Sequence, residues 1–257
     1  MTFKRLHSVL PALALGLGTA VASAAPVSFF DGTFNLAGYT QLAYSTNPAV
    51  TITASQIGSG GNPGDALSVQ FAIPGGPVSL ESYQGFVNTA FTYDPSVQGA
   101  VTGIDVSSDR YVDYGSVLNP LITTLSRPLL LQSGQAYLAP FLDPQVRSAW
   151  FTSAKSGLTA ADFAGFDFGT GAINAAAHPD FSAGGAPIEF GLASRLLLNL
   201  PTGLGAPLTA EYRFDNLAIT LNPAATVPEP PTWALIGLAL PVLLWRRRPA
   251  AARPSAA

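Results

Sequence analysis

Leu67-Ser68-Val69-Gln70-Phe71-Ala72-Ile73 decides the fold class of this chain. Four apolar residues alternate there with smaller or polar ones, the period of two that a strand shows when one face is buried. Ile188, Phe190, Leu192, Leu196, Leu198 and Leu200 repeat the pattern over a longer stretch, with Glu189, Arg195 and Asn199 on the other face. Working outward, the same reading predicts strands over 36–44, 50–57, 83–93, 99–106, 121–131, 135–142, 148–154 and 210–221. Gly, Pro, Ser, Thr and Asn punctuate these runs, and no helix-period segment of useful length interrupts them. The expected fold class is all-β, a two-sheet antiparallel β-sandwich.

Two details refine that picture. In the last strand Tyr212 and Phe214 share one parity, but the apolar set continues as Leu217, Ile219 and Leu221. A bulge at Asp215-Asn216 is the simplest way to reset which face is buried. Thr159-Ala160-Ala161-Asp162 predicts one short helix, with an acid in its first turn. The stretches 58–64, 74–77 and 169–187 are too rich in Gly, Pro and Ala to be core and are expected as loops.

The chain ends predict export. Lys4 and Arg5 precede an apolar run from Val9 to Val21, and Ala22-Ser23-Ala24 supplies small residues for signal-peptidase cleavage after Ala24. At the other end Val227-Pro228-Glu229-Pro230-Pro231 leads into Trp233 to Trp245 and then Arg246-Arg247-Arg248. The thirteen apolar residues from Trp233 to Trp245 would make a helix of about 20 Å, short of the roughly 30 Å hydrocarbon core. So short a span suits transient retention better than a permanent single-pass anchor. The arginines would hold the extreme C-terminus on the cytoplasmic side. The domains so delimited are a signal peptide over 1–24, a β-sandwich over 25–226 and a tail over 227–257, with its short transmembrane helix at 232–245.

Charge and composition narrow the partners of the central domain. Between 25 and 226 six basic residues face fourteen acidic ones, a net of −8. Such a domain lacks the basic patch that nucleic acid or an anionic membrane surface requires. Cysteine is absent, which removes disulfides, zinc thiolate sites and cysteine nucleophiles.

The tail, in the order Val227-Pro228-Glu229-Pro230, apolar helix, Arg246-Arg247-Arg248, resembles the PEP-CTERM sorting signal of exported proteins of Gram-negative bacteria, also catalogued as the ice-binding protein C-terminal domain. The resemblance implies recognition by an exosortase-type membrane transpeptidase cutting near the Pro-Glu-Pro element. It also implies delivery to the cell envelope or the extracellular polysaccharide matrix.

Phe30-Asp31-Gly32-Thr33-Phe34, the loop before Leu67, Ala186-Pro187-Ile188-Glu189-Phe190-Gly191 and Phe214-Asp215-Asn216-Leu217 together resemble a jelly-roll sandwich of the galactose-binding or carbohydrate-binding-module kind. In such sandwiches the first and last strands lie close and a structural calcium commonly sits near them. The resemblance would nominate Asp31, Asp215 and Asn216 as calcium ligands, although no dedicated calcium loop is present.

The sequence yields few catalytic candidates. His178 is the one histidine of the domain, in an Ala/Gly/Pro-rich loop, and reads as a surface residue without a triad. Glu81, Glu189 and Glu211 keep a glycosidase formally open, since that chemistry needs only two carboxylates about 5 to 10 Å apart. Asp105, Asp109, Arg110, Tyr111, Asp113 and Tyr114 mix acids with aromatics, as a sugar-stacking surface or a cation site would, or as solvated hairpin residues would. Trp150, beside Ala149 and Phe151, reads as a core or rim residue. The leading expectation is a noncatalytic exported protein sorted by its tail; the alternative is a glycan-binding module, and the third reading is a glycosidase.

Overall fold

A computed structural model of the chain describes residues 25–113, 122–140 and 148–224. The signal segment with Ala22 and Ala24, and the tail from Val227 to Arg248, lie outside the described residues. Residues 24–224 form one compact unit, and among the described residues no helix is long and apolar enough to cross a membrane.

Thirteen strands are seen among the described residues. In chain order they are β1 (Val27–Asp31), β2 (Tyr39–Ser45), β3 (Thr51–Gly61), β4 (Gly64–Ile73), β5 (Gly76–Tyr93), β6 (Val101–Asp113) and β7 (Ile122–Gln132). There follow β8 (Gln135–Leu138), β9 (Phe151–Leu158), β10 (Ala164–Phe166), β11 (Ile173–Asn174), β12 (Ile188–Leu204) and β13 (Leu208–Pro223). They form two antiparallel sheets. One runs β3-β4-β13-β6-β9 with β1 beside β13, and the other runs β11-β10-β8-β7-β12-β5-β2.

The main core lies between the sheets and follows the alternation read from the sequence. Leu67, Val69, Phe71 and Ile73 of β4 face Phe190, Leu192, Leu196, Leu198 and Leu200 of β12 within one cluster of buried apolar side chains. At about 25 cal/mol per Å² of apolar surface removed from water, this burial supplies the main drive for folding.

The bulge lies where the phase slip places it. β13 pairs with β6 in register up to Asp215↔Asp109 and resumes at Ala218↔Ser107. Its other edge changes partner at the same point, from β4 over 208–214 to β1 over 217–221. Asn216 takes φ 50° there, a left-handed conformation that asparagine tolerates better than most residues. The bulge thus joins three strands at one corner.

Several local expectations need correction. The loop expected over 58–64 is only a tight turn at Asn62-Pro63, because β3 continues to Gly61 and β4 begins at Gly64. Residues 169–187 are not wholly outside the core: Phe181 is buried, its carbonyl accepts the Val101 N–H, and Ile173–Asn174 form β11. The segment Asp105 to Asp113 is no hairpin tip but the body of β6, while Tyr114 lies outside the described residues. Pro95–Gln98 forms a helical turn capped by Asp94 that the sequence reading passed over. Thr159 does cap a 3-10 turn over Ala160–Asp162, with a reciprocal bond from its own N–H to Asp162.

Candidate functional site

The outward side of the six-stranded sheet carries the first candidate surface. Strand alternation in β6 sends Ile104, Val106 and Val112 into the core and turns Tyr111 outward. Tyr111 meets Trp150 with ring centroids 5.7 Å apart and planes tilted by 46°. The Arg213 guanidinium lies 5.2 Å from the Tyr111 ring centre and forms a fork on Glu211, Nε to Oε1 at 3.0 Å and Nη2 to Oε2 at 2.9 Å. Ser68 Oγ donates to Glu211 Oε1 at 2.6 Å, fixing the carboxylate from β4. Burial would raise the Glu211 pKa, but the bonds from Arg213 and Ser68 outweigh it and hold the group ionised below the usual range.

From Tyr111 the same face runs down β6 for about 20 Å, six residues at strand rise, to a shallow groove of about 320 Å³ lined by Asp105, Ser107, Ala154, Lys155, Ala218 and Thr220. Between the two ends sits a polar knot. Asp109 accepts Thr152 Oγ1 on one oxygen, and on the other Asn62 Nδ2 at 3.1 Å and Asn216 Nδ2 at 2.8 Å. Asp215, fully buried, accepts the backbone N–H of Asn62 and of Asn216. Desolvation raises the Asp215 pKa against those two bonds, and the nearby charges of Asp109 and Asp31 add to the rise. Gly61 permits the turn to close on this corner, since a Cβ there would run into the Asp65 carbonyl and Asp215 Oδ2.

Asp31, Asp215 and Asn216 are brought to one corner, because Asp31 pairs with Leu217. The carboxylate oxygens of Asp31 and Asp215 are nevertheless occupied by protein donors. Asp31 Oδ1 accepts Thr33 N at 2.7 Å, Thr33 Oγ1 at 3.0 Å and Phe34 N at 3.0 Å; Oδ2 accepts Tyr39 OH at 2.6 Å and Asn88 Nδ2 at 3.3 Å. A calcium ion would have to displace these donors. No group of three or more His, Cys, Asp or Glu side chains suited to a metal occurs among the described residues. The corner fits a hydrogen-bonded joint better than a cation cage.

The three glutamates are not brought together. Glu81 pairs with Leu197 across β5 and β12, eight residues along β12 from Glu189 and so about 26 Å away. Glu211 belongs to the other sheet. None of the three pairs has the carboxylate spacing of a glycosidase. His178 Nδ1 lies 2.7 Å from the Phe163 carbonyl, to which it can only donate, so it fastens its loop to the residue before β10.

The seven-stranded sheet carries a second surface that the sequence reading missed. Its outward side holds a separate apolar cluster of Tyr83, Val87, Leu129, Ala136, Leu138, Phe166 and Ala193. Phe166 of β10 stands four strand positions from Tyr83 of β5, about 19 Å on a flat sheet. Their ring centroids are nonetheless 4.4 Å apart. The sheet therefore curls so that its outward side is a trough. Phe168 closes over Gly85, where a Cβ would come within 2.8 Å of its ring. Beside this cluster Arg127 and Arg195 both lie over the Tyr83 ring, at 5.8 and 5.6 Å. Signals existed: the run Leu129-Leu130-Leu131 is apolar on both parities, the mark of a strand buried on both faces.

No family model matches the chain, and no curated protein does. Among solved structures, a β-1,2-glucanase from Parabacteroides distasonis aligns over 76% of this chain and 24% of its own, at 13% identity and a TM-score of 0.37. The chain thus spans less than a third of that enzyme. TmCBM61, solved in complex with β-1,4-galactotriose, aligns over 73% of this chain and 90% of its own, at 9% identity and a TM-score of 0.26. Both are likenesses of β architecture alone.

Proposed function

We propose that this chain is a noncatalytic glycan-binding protein of the jelly-roll type, exported and sorted by its C-terminal tail. The observation that carries the binding reading is the Tyr111–Trp150 pair flanked by the Arg213–Glu211 fork. Aromatic rings offer flat apolar faces to the C–H face of a pyranose at little entropic cost. A fixed guanidinium–carboxylate pair alongside supplies donors and acceptors to hydroxyls without having to be ordered on binding. The open face between Tyr111 and the shallow groove at Asp105 and Thr220 suits an extended polymer rather than a small enclosed ligand.

Affinity electrophoresis of the protein in gels containing neutral polysaccharides tests the reading. Tyr111→Ala and Trp150→Ala are each expected to weaken retention about tenfold, roughly 1.4 kcal/mol. Retention unchanged in both variants, or absent for every polymer tried, would sink it.

The sorting part rests on the tail sequence, where Val227-Pro228-Glu229-Pro230 precedes an apolar run and Arg246-Arg247-Arg248. Its partners would be signal peptidase and an exosortase-type transpeptidase, and its destination the envelope or the polysaccharide matrix. Cell fractionation with intact-mass measurement checks this part. Replacing the three arginines by alanine, or ending the chain at Pro228, should change both location and processed mass, and unchanged values for both variants remove the sorting reading.

A further inference from the structure

At one place in the trough of the seven-stranded sheet two cations, Arg127 and Arg195, lie about a single anion, Glu81. Arg195 is satisfied, its Nε and Nη2 both reaching Glu81 Oε1 at 2.8 and 2.6 Å. Arg127 is not matched in this way. Its Nε is buried, with no acceptor in hydrogen-bond reach among the described residues; it lies over the Tyr83 ring and feels the Glu81 charge without forming the fork that Arg195 makes. Guanidinium carries five donors and stays protonated in proteins, so an unmatched one on an aromatic floor is a short-range anion receptor. The pair Arg195–Glu81 remains partly open, its side chains 23% and 35% exposed. Next to it lies a groove of about 480 Å³ lined by Thr46, Ser79, Glu81, Leu197 and Asn199.

We propose that Arg127, seated on Tyr83 beside Arg195, binds the carboxylate of a uronic acid residue, while the adjoining groove takes the neighbouring sugar. The site is distinct from the Tyr111–Trp150 surface, since the two lie on opposite outward sides of the sandwich. It rests on the glycan reading only in taking the carboxylate to be borne by a sugar. Burial lowers the Arg127 pKa from its ordinary value, a sign that the cation is poorly solvated and would be relieved by a counter-charge. The net acidity of the domain does not forbid this, because charges beyond about 10 Å are screened at moderate salt whereas a bidentate contact is not. The acidity does favour a sparsely charged or short ligand over a dense polyanion.

The test compares trigalacturonate with its trimethyl ester, which keeps the rings and removes the charge, by titration calorimetry on the whole protein. The acid is expected to bind at least tenfold more tightly than the ester. Arg127→Gln should bring the two within twofold of each other, Arg127→Lys should retain part of the preference, and Tyr111→Ala should leave it unchanged. The wild-type comparison needs no variant, so a misfolded Arg127→Gln protein does not spare the proposal. Equal binding of acid and ester, or a preference that survives in a folded Arg127→Gln protein, overturns it. Retention on neutral polymers without uronate binding overturns this inference alone, and binding to neither class overturns the glycan reading with it.

Discussion

Asp31 illustrates how much one side chain carries in this fold. It belongs to β1 of the six-stranded sheet, yet its Oδ2 is bonded by Tyr39 of β2 and Asn88 of β5 in the seven-stranded sheet. Burial alone would raise its pKa, but the bonds from Tyr39, Thr33 and Phe34 outweigh burial and hold it below the usual value. A folded-state pKa below the unfolded one gives stability that is complete above about pH 4 and is lost as pH falls through the folded value. Asp31→Asn is therefore expected to cost about 2 kcal/mol at pH 7, and the gap from wild type should narrow towards pH 3. Urea midpoints at the two pH values check this, and a gap independent of pH would show that the charge is not what binds the sheets. Asp215 pulls the other way. Its raised pKa means that the folded state loses stability as pH rises from the unfolded value to the folded one, so only the difference between variant and wild type isolates Asp31.

At the scale of elements, β13 is the organising strand, and its bulge is where two neighbours are exchanged. Asn216 serves there in two ways, tolerating φ 50° and donating Nδ2 to both the Asn62 carbonyl at 2.6 Å and Asp109. Asn216→Gly keeps the backbone conformation and loses the two bonds, an expected cost of about 1 to 2 kcal/mol. Asn216→Val loses the bonds and adds the strain of a β-branched residue at positive φ, for about 3 kcal/mol. Thermal melts of the two variants separate the contributions, and equal losses would show that the backbone is not constrained at the bulge. The phase slip between Phe214 and Leu217 announced this bulge because parity is a local property. Trp150 could not be placed in the same way. Its meeting with Tyr111 depends on how β9 lies against β6, and register between strands forty residues apart leaves no mark in either segment. The Arg127 site was hidden for a related reason: an arginine at an outward position reads as solvated until the curl of the sheet, a property of seven strands together, buries its Nε.

The unit over residues 24–224 is a sandwich with a main core between its sheets and a second apolar cluster in the trough outside one of them. Its two candidate ligand surfaces therefore face away from each other, and a polymer held on one leaves the other free. If both operate, one protein molecule joins two chains, and the mixture of a neutral and a uronate polysaccharide should gain viscosity when the protein is added. A double variant, Arg127→Gln with Trp150→Ala, should abolish the effect, whereas each single variant retains binding to one polymer without the increase. Rheometry of the four combinations checks this, and a gain that persists in the double variant would place the contacts elsewhere.

The pairing of β1 with β13 brings together residues such as Ser28 and Thr220, 192 positions apart. The earliest strand of the domain to leave the ribosome must wait for the latest before its edge is covered. Contacts between such distant parts of a chain form slowly, because a large loop has to close before they reward it. A half-made molecule thus lacks the clasp that would lock it. Export, as proposed above, would turn such tardiness from a defect into an asset, because an exported chain is threaded through a narrow pore before it folds.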